Sequence, residues 1–422
     1  MTFVKGLKCR ECNQDYPKQP IHVCETCFGP LEVVYDYDRI KSSISREKIA
    51  SRPNNLWRYR ELLPIDGEPK VGLYSGYTPL IRAYRLGEAL GVKQLYIKDD
   101  SVNHPTFSYK DRVVSVAISC AIEFGFDTVS CASTGNLANA VAAHAAKAGL
   151  NCYVFIPDGL EQAKIIGSTI YGPRTISIKG NYDDVNRLCS EIGDKYDWAF
   201  VNVNLRPYYS EGAKTHAFEI VEQLGWKIPR HIVVATAGGT ILPKLAKAFN
   251  ELKRVGLVED GECKIYSAQA SGCDPVIQAL KKGTDLISPV KPNTIASSIA
   301  IGNPADGYYV IKTIQETGGW GESATDEEIL DGIKLLASTE GIFTEPAGGT
   351  EVAVTKKLVQ QGRIPRDEPT VICITGNGYK TIEAVAGIVE KPFCINADLK
   401  NFDDLYNQLN QPSREKAVAG KR

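Results

Sequence analysis

The sequence predicts an α/β fold made of two doubly wound parallel-sheet domains, with a small cysteine-paired unit ahead of them. Three features lead there. Apolar runs of four to eight residues alternate with amphipathic stretches from residue 76 onward, glycine-bearing turns follow the runs, and two Cys-x-x-Cys pairs crowd the N-terminus. Continuous apolar strands followed by amphipathic helices are the pattern of parallel sheets covered on both faces.

The strand and helix pairs follow one another in order. Thr128–Ser133 precedes the alanine-rich stretch 135–149, Asn151–Pro157 precedes 159–172, and Arg174–Gly180 precedes 182–196. Ala199–Asn204 precedes 211–225, His231–Gly239 precedes 240–256, Cys263–Gln269 precedes 274–283, and Thr370–Gly378 precedes 380–391, read as the last helix of the series. Open α/β sheets bind ligands outside the carboxyl ends of their strands, so the site is sought in the loops after these runs.

A chain of 422 residues exceeds what one hydrophobic core usually serves. The expected division is a zinc-ribbon-like module over 1–35 and a connecting arm over 36–75, broken by Pro53, Pro64 and Pro69. A catalytic region of two α/β domains follows over 76–400, the smaller at roughly 95–205, and a polar tail over 401–422. Lys and Arg number 49 against 50 Asp and Glu, for a net charge of -1, which gives no electrostatic footprint for nucleic acid or an anionic membrane. The chain shows no apolar run of about 18 residues, and its opening lacks the apolar core of a signal peptide. A cytoplasmic enzyme of small-molecule chemistry is expected.

In that compartment the twelve cysteines are reduced thiols. Cys120, Cys131, Cys152, Cys189, Cys263, Cys273, Cys373 and Cys394 are scattered singly and read as small buried hydrophobes. Cys9, Cys12, Cys24 and Cys27 differ: two knuckles eleven residues apart can present four thiolates to one tetrahedral Zn²⁺. The gap is shorter than the usual loop of ~15–20 residues, so an unmetallated or redox pair stays open. Four thiolates close the coordination sphere, so the metal is structural and supplies folding energy to the unit. The histidines, His22, His144 and His216 among them, form no constellation.

Lys110 falls in the first turn of a predicted helix, just after His104-Pro105. The positive end of the helix dipole disfavours an ammonium there and favours the neutral, nucleophilic amine that a Schiff-base lysine needs. Three strand-end loops accompany it. Ser133-Thr134-Gly135-Asn136 can receive a carboxylate on backbone N–H groups and hydroxyls at a helix N-terminus. Thr236-Ala237-Gly238-Gly239-Thr240 is a phosphate cradle of the same kind, although it is neither a dinucleotide fingerprint nor a Walker A sequence. Thr375-Gly376-Asn377-Gly378 closes the last strong strand.

Taken in order, SYKDR, STGN, NLRPYYSEGAKT, SIAIGNPADGYY, TEGIFTEPAGG and TGNGYKT resemble the threonine synthases, members of the fold type II pyridoxal-phosphate enzymes, over nearly the whole chain. A subset of that family carries a comparable cysteine-paired N-terminal unit. The resemblance implies a tryptophan-synthase-β-like fold and pyridoxal 5'-phosphate as cofactor, with Lys110 as the Schiff-base lysine and Asn136 as partner of the ring 3-hydroxyl. It further implies Ala237, Gly238, Gly239, Thr240 and Ile241 around the cofactor phosphate, and Thr375 at the pyridine nitrogen. The implied reaction is loss of phosphate from O-phospho-L-homoserine and addition of water to give L-threonine. Its substrate carboxylate would go to Ser133 and Thr134. Its phosphate needs a second anion site, for which Arg206, Ser210 and Lys214 are candidates because guanidinium and ammonium groups grip phosphate. Enzymes of this type are often symmetric, so a homodimer is compatible with the reading.

The sequence departs from the family at TAGGTI in the phosphate loop, at Tyr109, where phenylalanine is usual, and at Glu345-Pro346. Two other readings follow from such departures: a paralogue catalysing β- or γ-elimination or replacement on another amino acid, such as a dehydratase or cysteate synthase, and a catalytically idle homologue whose zinc unit binds a partner. The intact Lys110-Asp111-Arg112 argues against the first, and Lys110, Asn136 and Thr375 together against the second.

Overall fold

The computed structural model of the chain describes residues 3–133, 135–159, 162–180 and 182–410. They fall into two units, residues 1–384 and residues 385–422. In the first unit, β1 (Val4–Cys9), β2 (Asp15–Tyr16) and β3 (Leu31–Tyr35) form an antiparallel sheet in the order β2-β1-β3. Alternation places Leu31, Val33 and Tyr35 of β3 in the core, with Glu32 and Val34 between them half-buried.

β4 (Leu80–Arg82) and β5 (Leu95–Asp99) begin a second sheet. β6 (Thr128–Ala132), β7 (Asn151–Pro157), β8 (Arg174–Ile178) and β9 (Ala199–Phe200) make a parallel sheet of order β8-β7-β6-β9. β10 (His231–Ala235), β11 (Lys264–Ala270), β12 (Trp320–Ala324) and β13 (Thr370–Ile374) complete the second, of order β12-β11-β10-β13-β5-β4. It is parallel except for β4, which runs antiparallel to β5 at the edge. Every residue of β6, β10 and β13 is buried, as expected for strands covered on both faces. The strand order reverses between β10 and β13, and the two loops most prominent in the sequence, after Ala235 and after Ile374, open side by side at that switch point.

Residues 37–62 hold three short helices, Tyr37–Ser43, Arg46–Ala50 and the 3₁₀ turn Leu56–Leu62, whose Trp57 and Tyr59 are buried; the Trp57 indole N–H donates to the Val71 carbonyl at 2.9 Å. Two expectations are corrected. The strand expected over 199–204 stops at Phe200, because Asn204 folds back, accepting from the Phe200 N–H and donating to the Trp198 carbonyl, both at 2.9 Å. The helix expected over 380–391 is absent. Only the 3₁₀ turns Gly378–Lys380 and Ile382–Ala384 form there, since Ile382 and Val389 stay exposed and there is no apolar face to bury. Among the elements not anticipated are β4, β5, β12 and the helices Tyr84–Leu90, Gly307–Glu316, Asp326–Glu340 and Pro346–Gln360.

The second unit contains the helix Leu399–Asn410, none of whose residues is buried. No helix among the described residues is long and apolar enough to cross a membrane.

Candidate active site

The Lys-Asp-Arg run divides its work by direction. Lys110 is the first residue of the helix Lys110–Glu123, and its amine reaches into a cavity of about 240 Å³. Asp111 turns back on the preceding loop, where its carboxylate accepts from the Thr106 hydroxyl at 2.8 Å and from the Thr106 and Ser108 N–H groups at 3.2 and 3.3 Å. Arg112 points into the core, fully buried, between Asp100 and Glu219. Burial opposes ionisation of Asp100, but the Arg112 guanidinium overrides it and holds the carboxyl well below the usual carboxylate range. The Tyr109 N–H donates to the Thr375 carbonyl at 2.8 Å, which ties the lysine segment to the loop after β13.

Lys110, Ser133, Asn136, Arg206, Thr375 and the loop Ala237–Ile241 all line this one cavity. Thr134 lies outside the described residues. Ser133 caps the helix Asn136–Ala148, its hydroxyl oxygen accepting from the Gly135 and Ala138 N–H groups at 3.0 Å each. Gly135 has φ 144°, and a Cβ there would lie 2.5 Å from Cδ of Lys164, so the turn requires glycine. Asn136 donates from Nδ2 to both oxygens of Glu345 at 3.0 Å, and its own Oδ1 is buried with no partner. In the loop after β10, Gly239 has φ 96° and a Cβ there would press on Val310 and Asp306. Behind that loop, the helix Ile241–Arg254 turns its N-terminus toward the cavity. Thr240 donates to Oδ2 of Asp306 at 3.1 Å, and Arg206 pairs with Oδ1 of the same carboxylate at 2.6 Å.

Two candidates for a second anion site do not reach the cavity. Lys214 is fully buried with its ammonium between Glu211 at 2.6 Å and Glu251 at 2.8 Å, an ion-pair network that consumes its charge. Ser210 donates back to the Pro207 carbonyl at 2.9 Å. Of the three candidates, only Arg206 faces the site.

Sequence reasoning passed over several cavity residues, Tyr209, Glu345 and Asn202 among them. Tyr209 accepts a hydrogen bond from Nζ of Lys110 at 3.0 Å. Glu345, 1% exposed, was legible only as a departure from a motif. Asn202 reaches the backbone of Ala132 with its side-chain amide and lines the same wall. Beneath the floor, Glu351 is fully buried on the helix Pro346–Gln360 and accepts from the Ala235 N–H at 2.7 Å; burial pushes its carboxyl well above the usual range, which favours the protonated form.

Away from the cavity, the sulfur atoms of Cys9, Cys12, Cys24 and Cys27 lie within 4.8 Å of one another. The Tyr16 hydroxyl, 3.2 Å from Sγ of Cys24, helps to bring that thiol down to about 6.

A family profile described as pyridoxal-phosphate dependent enzyme matches residues 71–376. The chain belongs to this family. Curated relatives run almost end to end with it. The threonine synthase of Methanocaldococcus jannaschii is 38% identical over 406 residues, 95% of this chain and 99% of that protein. The threonine synthase of Methanosarcina acetivorans is 40% identical over 401 residues, 93% and 96% of the two chains. Among solved structures, the processed form of threonine deaminase isoform 2 from Solanum lycopersicum superposes with a TM-score of 0.62 at 21% identity, covering 75% of this chain and 89% of that one. Maize serine racemase does so with a TM-score of 0.61 at 20% identity, covering 81% and 94%. These structural likenesses establish the fold.

Proposed function

We propose that the protein is a threonine synthase, a carbon–oxygen lyase that converts O-phospho-L-homoserine and water to L-threonine and phosphate. The observation that carries this reading is the near end-to-end match to two proteins of that name, together with a cavity that gathers a lysine amine, a glycine loop and an amide. The cavity suits pyridoxal phosphate. The loop Ala237–Ile241 precedes a helix N-terminus, where unpaired N–H groups and the dipole favour a phosphate. The unpaired Oδ1 of Asn136 offers a buried polar partner to a ring substituent, and Thr375 supplies a neutral hydroxyl for the ring nitrogen.

Bound pyridoxal phosphate supplies an electron sink for the carbanion left when the substrate's α-proton departs. Lys110 takes that proton: the Cα–H bond breaks, its electron pair stays with the substrate, and an N–H bond forms on Nζ. The same amine then removes a proton from Cβ as phosphate leaves from Cγ with the electrons of its C–O bond; a proton is delivered to Cγ, the hydroxyl of water adds at Cβ with its proton passing to the released phosphate, and a proton returns to Cα. Ser133 and Thr134 are assigned to the substrate carboxylate and Arg206 to the phosphate end, the one cation of the three candidates at the cavity wall.

We assign a structural zinc to Cys9, Cys12, Cys24 and Cys27. Zinc–sulfur bonds of ~2.3 Å set tetrahedron edges near ~3.8 Å, and the Cys9–Cys27 and Cys12–Cys24 sulfur separations are 3.4 and 3.6 Å. The reading includes a cytoplasmic homodimer, checked by cell fractionation and light scattering. Its central test is turnover. Wild-type protein should release phosphate and form threonine from O-phosphohomoserine but not from O-phosphoserine, and Lys110→Ala should form none; threonine formation that survives in Lys110→Ala would remove the lysine from the chemistry.

A further inference from the structure

We propose that Tyr209 is the residue that positions the Lys110 amine during proton transfer, an inference that rests on the reading of Lys110 as the proton-carrying base. The two residues come from different parts of the chain, one opening the helix Lys110–Glu123 and the other in the helix Arg206–Glu211, and they meet inside the cavity with Nζ 3.0 Å from Oη. Tyr209 is itself held. It is 5% exposed, and its N–H donates to the Leu205 carbonyl at 2.9 Å. The adjacent Tyr208 anchors the same turn from outside by donating to the Gln19 carbonyl at 2.7 Å. The phenol therefore sits on a fixed element, while the lysine chain, with its four rotatable bonds, does not.

The direction of the bond decides what it does. Oη accepts from Nζ, and it can do so whether the nitrogen is an ammonium or a neutral amine, because both carry N–H groups. In the neutral state the N–H directed at Oη leaves the lone pair free to face the substrate's α-hydrogen. After transfer, the new N–H completes an ammonium that keeps the same acceptor. A carboxylate in this place would hold the ammonium too firmly to let it return its proton, since hydrogen bonds to charged acceptors are roughly twice as strong. A neutral phenol orients the base without trapping it. No proton leaves Tyr209 in this scheme: the Cα–H bond breaks, the N–H bond forms, and the phenol O–H is untouched. Arg206 lies one turn earlier on the same helix and faces the phosphate loop through Asp306, so this short helix sets the distance between the base and the anion-binding end of the site.

The test compares Tyr209→Phe with wild-type holoenzyme. It reads kcat and KM for O-phosphohomoserine, and separately the washout of the α-hydrogen of L-2-aminobutyrate in D₂O, which has no leaving group and reports proton transfer alone. Misplacing a base costs on the order of 10–100-fold. That loss is expected in both kcat and washout, with KM within about twofold and the absorption of the bound cofactor retained. Tyr84→Phe, which removes the hydroxyl of an exposed tyrosine outside the cavity, should leave both rates at wild-type values. Tyr209→Gln keeps an acceptor in a side chain of another shape and should exchange faster than Tyr209→Phe, so the claim does not depend on one variant folding. Unchanged washout in Tyr209→Phe, equal rates in the Phe and Gln variants, or a rise in KM with kcat intact would each overturn the proposal. If wild type makes no threonine, the functional reading is what has failed; the washout comparison still decides the role of Tyr209.

Discussion

Nη2 of Arg206 lies 2.6 Å from Oδ1 of Asp306, and the other oxygen of that carboxylate accepts from the Thr240 hydroxyl at 3.1 Å. An anionic side chain thus stands against the loop assigned to the cofactor phosphate, and Arg206 neutralises it. Removing the arginine alone should leave an uncompensated carboxylate beside an incoming phosphate. Arg206→Ala is expected to weaken pyridoxal-phosphate binding by about 10–100-fold, or ~1.4–2.8 kcal/mol. Arg206→Ala combined with Asp306→Asn should recover most of that loss. Absorbance titration of apoprotein measures both, and a double variant as weak as the single one would show that repulsion is not the cause.

Glu345 fixes which end of the Asn136 amide enters the cavity. A carboxylate only accepts, so Nδ2 must face it and Oδ1 must face the site. In Glu345→Gln the neighbour can donate as well as accept, and the amide is free to turn. The absorption maximum of the bound cofactor is expected to move in this variant, and its pH dependence with it, while binding stays within about tenfold of wild type, the size of one neutral hydrogen bond. A spectrum identical to wild type at every pH would mean that Glu345 does not orient the amide.

These two relationships also mark what could be read from the chain and what could not. The strands after which the site opens were legible because β6, β10 and β13 are buried on both faces and so are written as unbroken apolar runs. Lys110, Asn136 and the loop 237–241 were legible because strand-to-helix turns announce themselves locally. Glu345 was not, since it enters the cavity through the pairings Thr344↔Asn377 and Ser108↔Gly376, which join segments distant in sequence. Lys214 misled for the same reason: its partner Glu211 is three residues away, but Glu251 comes from another helix and completes the burial of its charge. The helix Asp326–Glu340 did carry a readable signal, the Thr325 and Glu328 capping box.

The raised carboxyl of Glu351 predicts a pH dependence of stability. Its carboxyl is raised by burial above the ordinary value, so the folded state holds a proton that the unfolded chain gives up above about pH 4.3. The group's contribution is complete below that pH and is lost as pH rises toward the folded-state value. Glu351→Gln keeps the shape and the acceptor for the Ala235 N–H but carries no proton to lose. Its melting temperature should match wild type near pH 4 and exceed it increasingly toward pH 8. A constant difference across that range would place a permanent charge at Glu351.

Metal removal should be felt at the active site as well as in the cysteine unit. Arg10 and Glu11 lie between the paired thiols Cys9 and Cys12, and both grip Tyr309: the guanidinium sits 3.5 Å above its ring, and the Glu11 carboxylate accepts from its hydroxyl. Tyr309 lies three residues beyond Asp306, on the helix Gly307–Glu316 that opens directly after it. A knuckle whose folding energy comes from zinc loses its shape when the metal goes, and the grip on Tyr309 goes with it. Chelation should therefore release one zinc per chain, lower the melting temperature, and weaken pyridoxal-phosphate binding severalfold through Asp306. Cys27→Ser should reproduce all three effects. Tyr309→Phe, which cannot donate to Glu11, should weaken cofactor binding in part while zinc content stays at one per chain, as measured by metal analysis. If chelation leaves cofactor affinity untouched, the cysteine unit and the phosphate loop are mechanically independent.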